Sequence, residues 1–138
     1  MRYMGLDLGT KTLGLAISDS SGMIATSYKI LRHNENYKSL IPLLKEEIDN
    51  RQIEELVLGF PKNMDNSVGE RGKIALSFKE KLEQEFHIPV HMQDERLTTR
   101  QAESILINNN TSRKKRKKVI DSMAATIILQ SYLDRKDR

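Results

Sequence analysis

The chain contains no cysteine. That excludes a disulfide framework and any thiolate-held metal. No apolar run approaches the roughly 20 residues that span a bilayer, so no transmembrane helix is expected. The opening Met1-Arg2-Tyr3 passes straight into a strand pattern. With no apolar h-region and no small-residue cleavage site there, no signal peptide is expected and the location is read as cytoplasmic. Aromatic residues make up 5%, so no platform for stacking single-stranded bases is evident. The three histidines, His33, His87 and His91, share no metal-binding spacing, and Gly-x-Ser-x-Gly is absent. A length of 138 residues predicts one domain over 1–138, large enough to bury a core without cross-links.

What the chain does have is a concentrated charge. The net charge is +4, and Arg113-Lys114-Lys115-Arg116-Lys117-Lys118 supplies six consecutive cations; without those six, +4 becomes −2. The basic character therefore comes from one segment, not from a generally basic surface. A polyanionic partner is implied, and with no membrane signal nucleic acid is the expected one. The competing reading is a solvated basic loop.

Periodicity orders the elements. Tyr3–Leu8, Leu13–Ser18 and Met23–Leu31 read as strands joined by turns, the second turn being Asp19-Ser20-Ser21-Gly22. Asn34–Asn50 reads as a helix on the spacing of Leu40, Leu43, Leu44 and Ile48. Pro42 fits only in its first turn, which moves the start toward Ser39. Glu55–Phe60 is a strand, Arg71–Phe86 a helix with Ile74, Phe78, Leu82 and Phe86 on one stripe, and Pro89–Met92 a strand. Thr98–Asn108 is a third helix, 108–118 a long exposed loop, and Val119–Leu133 a fourth helix. A meander followed by crossovers predicts an α/β fold: a mixed five-stranded sheet, antiparallel then parallel, flanked by helices.

Three acids are placed oddly for their surroundings. Asp7 ends the first, apolar strand, where an unpaired carboxylate would cost several kcal/mol. A lysine, backbone N–H groups, a metal ion or a metal-bound phosphate would answer that charge. Gln93-Asp94-Glu95-Arg96 follows the fifth strand. Asp121 sits in an otherwise apolar helix, on a face with Ala124, Ala125 and Ile128 beside a packing stripe of Val119, Ile120, Met123, Ile127 and Ile128. Two alanines would let that helix approach a sheet closely. Ligands of open sheets bind beyond the carboxyl ends of the strands, so the acids are expected to converge there. Their mutual repulsion would be relieved by cations, and an oxygen-only donor set suits Mg²⁺ or Mn²⁺. Each acid also has an ordinary role: a turn-former, a charge near a helix, an N-cap. Lys11, in the Gly9-Thr10-Lys11 turn, and the 59–69 loop with Lys62 are candidate phosphate contacts.

These residues carry a resemblance. Asp7-Leu8-Gly9-Thr10-Lys11-Thr12-Leu13-Gly14, then Gly59-Phe60-Pro61, then Asp94-Glu95-Arg96-Leu97-Thr98-Thr99, then Asp121-Ser122-Met123-Ala124-Ala125 resemble, in order, the motifs of the YqgF/RuvX family. That family is Holliday-junction-resolvase-like and has an RNase H-like fold. The resemblance implies a metal-dependent endonuclease acting on structured nucleic acid, either at the 5′ end of pre-16S rRNA or at Holliday junctions. It implies Asp7, Glu95 and Asp121 as catalytic and metal-binding acids, with Asp94 as the fallback for Glu95, and Mg²⁺ or Mn²⁺ as cofactor. Lys11, Lys62, Arg96 and Arg113, Lys114, Lys115, Arg116, Lys117 and Lys118 are the expected nucleic-acid contacts. The partner is pre-rRNA or branched DNA, with a ribosome precursor in the first case, and the chain is expected as a monomer or homodimer. Where many RNase H-like nucleases carry an acid after the fourth strand, this chain has Gly59-Phe60-Pro61. The second acid is then expected after the fifth strand, and the number of metal ions stays open. Asp7-Leu8-Gly9-Thr10 also resembles the first phosphate loop of sugar kinases and actin-like ATPases, which close a second domain over nucleotide; 138 residues are expected to leave no room for one. A non-catalytic RNA- or ribosome-binding module with the same fold is the remaining alternative.

Overall fold

The computed structural model describes residues 1–61, 67–94 and 113–136, with 113–122 described by their backbone. Strands β1 (Tyr3–Leu8), β2 (Thr12–Ser18), β3 (Ala25–Arg32), β4 (Glu55–Phe60) and β5 (Val90–Asp94) form a sheet in the order β3-β2-β1-β4-β5. The first three make the expected antiparallel meander, and β1, β4 and β5 run parallel. A 3-10 turn (Tyr37–Ser39) leads into α1 (Leu40–Arg51), and α2 spans Glu70–Phe86. Pro42 is the third residue of α1, where no intrahelical donor is lost. The expected helix Thr98–Asn108 lies outside the described residues.

The last helix, α3, runs over Arg113–Lys136. The cations Arg113–Lys118 therefore belong to its first turns, not to an exposed loop. Lysine and arginine are good helix formers, and their propensity outweighs the unfavourable meeting of positive charge with a helix N-terminus. The same correction removes the N-cap role for Asp121, which lies well inside the helix.

β1 is central and loses water on both faces: Tyr3, Met4, Gly5 and Leu6 are all buried, which is why it reads as an unbroken apolar run. On one face Met4, Leu6, Leu13, Leu15, Leu56 and Leu58 pack with Leu44 and Ile48 of α1 and Phe78 and Leu82 of α2. On the other, Tyr3, Ala16 and Val57 meet Ala125, Ile128, Leu129 and Leu133 of α3. The buried stripe of α3 is thus 125, 128, 129 and 133. Met123 and Ile127, expected in it, are only partly buried.

The edge strand β3 is tied to α1 through Glu47, which is 7% exposed. Lys29 Nζ lies 2.7 Å from its carboxylate, and the Tyr28 hydroxyl donates to the other oxygen. Burial alone would raise the Glu47 pKa, but the hydrogen bonds from Lys29 and Tyr28 outweigh it and hold the carboxyl below its ordinary value. A depressed folded-state pKa contributes stability that is present above the unfolded value near 4.5 and lost as pH falls through the folded one. Glu47→Gln is expected to cost about 1–2 kcal/mol at pH 7, less than a fully buried pair because Lys29 is 42% exposed. Urea melts should find the gap between the two proteins shrinking between pH 6 and pH 3. A gap independent of pH would contradict this assignment.

Candidate active site

β1 leaves the core at its carboxyl end, so Asp7 and Leu8 are half-buried. Alternation puts Asp7 on the α3 side with Tyr3 and Gly5, and Leu8 on the α1/α2 side with Met4 and Leu6. Asp7 is paired across the sheet with Gly14 of β2. A Cβ at Gly14 would lie 3.7 Å from both the Asp7 Cβ and the Ala125 Cβ. Two small residues, Gly14 and Ala125, thus meet on the α3 side of the sheet beside the Asp7–Gly14 pair. The helical register places position 121 one turn before Ala125, which brings the α3 backbone that carries Asp121 to the same end of the sheet.

On β5, Val90 and Met92 pack toward α1 and α2. His91 stacks on Tyr132 of α3 at 4.9 Å, and Gln93 accepts a 3.2 Å hydrogen bond from Arg135 Nη1. Asp94, paired with Phe60, thus falls on the face away from Asp7. Glu95, Arg96 and Lys62 lie outside the described residues. β4 ends in Phe60 followed by Pro61, with no acid at that strand end. Among the described residues no three His, Asp or Glu side chains form a metal-binding group.

The turn from Gly9 to Lys11 is pinned from below. Gly9 N–H donates to Thr12 O at 2.8 Å, and His33 N–H donates to Lys11 O at 2.9 Å. His33 Nδ1 accepts the Glu35 N–H at 3.1 Å. That nitrogen is therefore unprotonated, and Nε2 carries the proton it donates to Gly9 O at 3.1 Å. His33 is a buried, satisfied residue, and Lys11 is left exposed at the tip. His87 ends α2 in the left-handed conformation (φ 55), and His91 pairs with Glu55 at the start of β4.

Sequence reasoning missed Arg71. The pairing of β1 with β4 is registered only through Leu6 and Leu58. Beyond it the Leu8 carbonyl accepts a 2.9 Å hydrogen bond from Arg71 Nη2, and Arg71 Nη1 donates to the Tyr37 hydroxyl at 3.4 Å. A side chain of the first turn of α2 thus takes the strand's place at the residue next to Asp7. One arginine in a helix otherwise rich in charge carries no sequence signal of this role.

Comparison with known proteins adds to this geometry. The family model described as "RuvX: Holliday junction resolvase" matches residues 1–135. A protein of Geobacillus sp. (strain WCH70) named "Putative pre-16S rRNA nuclease" is 50% identical over 137 residues, covering 99% of both chains. One of the same name from Bacillus subtilis (strain 168) is 50% identical over 135 residues, 97% of this chain and 98% of that one. Among solved structures, that of Thermus thermophilus RuvC superposes with a TM-score of 0.57 at 14% identity, over 99% of this chain and 97% of the other. The fold is RuvC-like, that is, RNase H-like.

Proposed function

The chain belongs to the RuvX family, and from that premise we propose that it is a metal-dependent endonuclease that trims precursor 16S rRNA near its 5′ end. It would act in the cytoplasm through a single nuclease domain spanning 1–138. The observation that carries the reading is Asp7: an acid at the carboxyl end of the central strand, on the face covered by α3, paired across the sheet with Gly14, whose own α3 side meets Ala125. The choice of precursor rRNA over a DNA junction rests on the relatives of that name at 50% identity.

In this reading Asp7, Glu95 and Asp121 hold Mg²⁺ or Mn²⁺, to which their all-oxygen donor set is suited. Glu95 is preferred to Asp94 because Asp94 alternates to the α1/α2 face. A divalent ion bound there would supply an activated water and stabilise the leaving oxygen of a phosphodiester. The chain's own part is to fix Asp7 on a buried strand and to hold the Gly9–Lys11 turn through His33. Lys11, Lys62, Arg96 and the cations 113–118 would grip the backbone phosphates. The test is cleavage of two substrates, a precursor 16S rRNA and a four-way DNA junction, with Mn²⁺ and with EDTA. Cleavage of the rRNA near its mature 5′ end, abolished by EDTA, is expected. Cutting of the junction alone would transfer the reading to DNA. Binding of rRNA with no cleavage of either substrate would leave a non-catalytic module.

The basic run makes a separate prediction. Residues 114–117 precede Asp121 by four to seven positions, roughly 6–10 Å along the axis of α3. Contacts to phosphate position a nucleic acid without reading its sequence. Replacing Lys114, Arg116 and Lys117 by Ala keeps the helix and should weaken binding to all substrates about equally. The slope of log K against log salt should flatten by roughly 0.7–0.9 per contact removed. Cleavage at saturating substrate should fall much less. An unchanged slope would return the run to a solvated helix end.

A further inference from the structure

Across β1 from Asp7 lies a recess of about 390 Å³, lined by Thr10, Glu35, Tyr37, Glu70, Arg71 and Ile74. A smaller apolar recess of about 150 Å³ adjoins it, sharing Tyr37 and Ile74 and reaching Phe78. The walls are fixed. The Tyr37 ring lies 5.0 Å from His33 and 6.3 Å from Phe78. The Arg71 guanidinium is oriented by Leu8 O and the Tyr37 hydroxyl, and those two bonds leave further N–H donors of its five. Glu35 adopts φ 60. The other two non-glycine residues with positive φ among the described residues, Gln52 and His87, are helix C-caps, where that conformation is ordinary. Glu35 is not at a helix end, and strain of this kind gathers at ligand sites.

Charge decides what can enter. Among the described residues the lining carries two carboxylates and one guanidinium, so it is net negative and repels a phosphate. It suits an uncharged, flat group that both donates and accepts. Guanine fits that description: its N1–H and N2 amino group donate to a carboxylate, and its O6 and N7 accept from a guanidinium. Unstacked bases are held in this way, against an aromatic ring and by their edges. We propose that the recess takes one everted guanine of the bound nucleic acid, stacked on Tyr37, with Arg71 on its acceptor edge and Glu35 or Glu70 on its donor edge. This rests on the nucleic-acid reading above and adds a base preference to it.

The test is an NMR titration of the full chain with the uncharged nucleosides guanosine, inosine and adenosine. Guanosine is expected to shift the backbone amides of Thr10, Tyr37 and Ile74. Inosine lacks the N2 amino group and should bind more weakly, and adenosine about fivefold or more weakly than guanosine. Glu35 and Glu70 are exposed, so Glu35→Gln and Glu70→Gln should fold, and at least one should erase the preference. Equal affinity for guanosine and adenosine, shifts confined to other residues, or no binding of any of the three would overturn the proposal. Metal-dependent cleavage measured on the same preparations tells this failure from that of the nuclease reading. Cleavage that persists without guanine binding removes the recess alone.

Discussion

Asp7→Asn is expected to lower Mn²⁺-dependent cleavage by about a thousandfold or more, the several kcal/mol that a bound metal contributes to the transition state. Stability should be unchanged or slightly raised. Asparagine keeps the size of aspartate, so the pairing of position 7 with Gly14 is retained. What is lost is one negative charge. If other acids approach it, removing that charge relieves repulsion in the metal-free protein. Cleavage rates over a Mn²⁺ series, set beside thermal melts of the same preparations, separate the two effects. Asp94→Asn is the control. Its position on the α1/α2 face predicts cleavage within a few-fold of wild type. Wild-type rates in Asp7→Asn, free of contaminating nuclease, would remove the acid site from β1. A dead Asp94→Asn protein that still folds would reassign the second acid.

The mixed sheet, antiparallel then parallel, was legible because a three-strand meander followed by crossovers admits few arrangements; the face on which Asp7 lies was not, because β1 is buried on both sides and reads as an unbroken apolar run. Tyr3, Gly5 and Asp7 can be assigned to one side only once Met4 and Leu6 are placed on the other. Ala125 was legible as a point of close approach, since a small residue on a packed helix face has few other uses. The start of α3 was not legible. Asn108-Asn109-Asn110-Thr111-Ser112 reads as loop, and the lysines and arginines after it read as its continuation, although they are helix formers by propensity. Arg71 and Tyr37 were invisible for a different reason. Their roles depend on where β1 and β4 part, which is a tertiary fact. The Leu8 carbonyl needs a donor only because β4 no longer faces it. His33 shows the same limit: its spacing excluded a metal role, but nothing in the sequence tied it to the Gly9 carbonyl.

The close approach of α3 to β1 carries the largest expected effect on stability. A Cβ at Gly5 would lie 2.7 Å from the Leu129 Cβ and 2.8 Å from the Ala125 carbonyl oxygen. Neither is the far end of a flexible side chain, so Gly5→Ala must move the helix or the strand by on the order of 1 Å to restore ordinary carbon contacts. Overpacking of this kind costs about 2–3 kcal/mol, which lowers the melting temperature of a chain this size by roughly 5–10 °C. The shift is not confined to stability. Position 121 lies one turn from Ala125 on the same helix, so lifting α3 carries it away from Asp7. A misplacement near 1 Å at a reacting centre costs up to about a hundredfold in rate. Gly5→Ala, assayed well below its melting point, is therefore expected to cleave tenfold to a hundredfold more slowly by the same principle, with KM little changed. Gly14→Ala supplies the contrast. Its new Cβ would meet neighbours at 3.7 Å, an ordinary contact, and alanine is no worse than glycine in a strand, so its melting temperature should stay close to wild type. Any loss of cleavage in Gly14→Ala would then report on the space beside Asp7 and not on the seating of α3. A Gly5→Ala protein that melts and cleaves like wild type would mean that this glycine does not set the distance between β1 and α3, and that the position of Asp121 is fixed by other contacts.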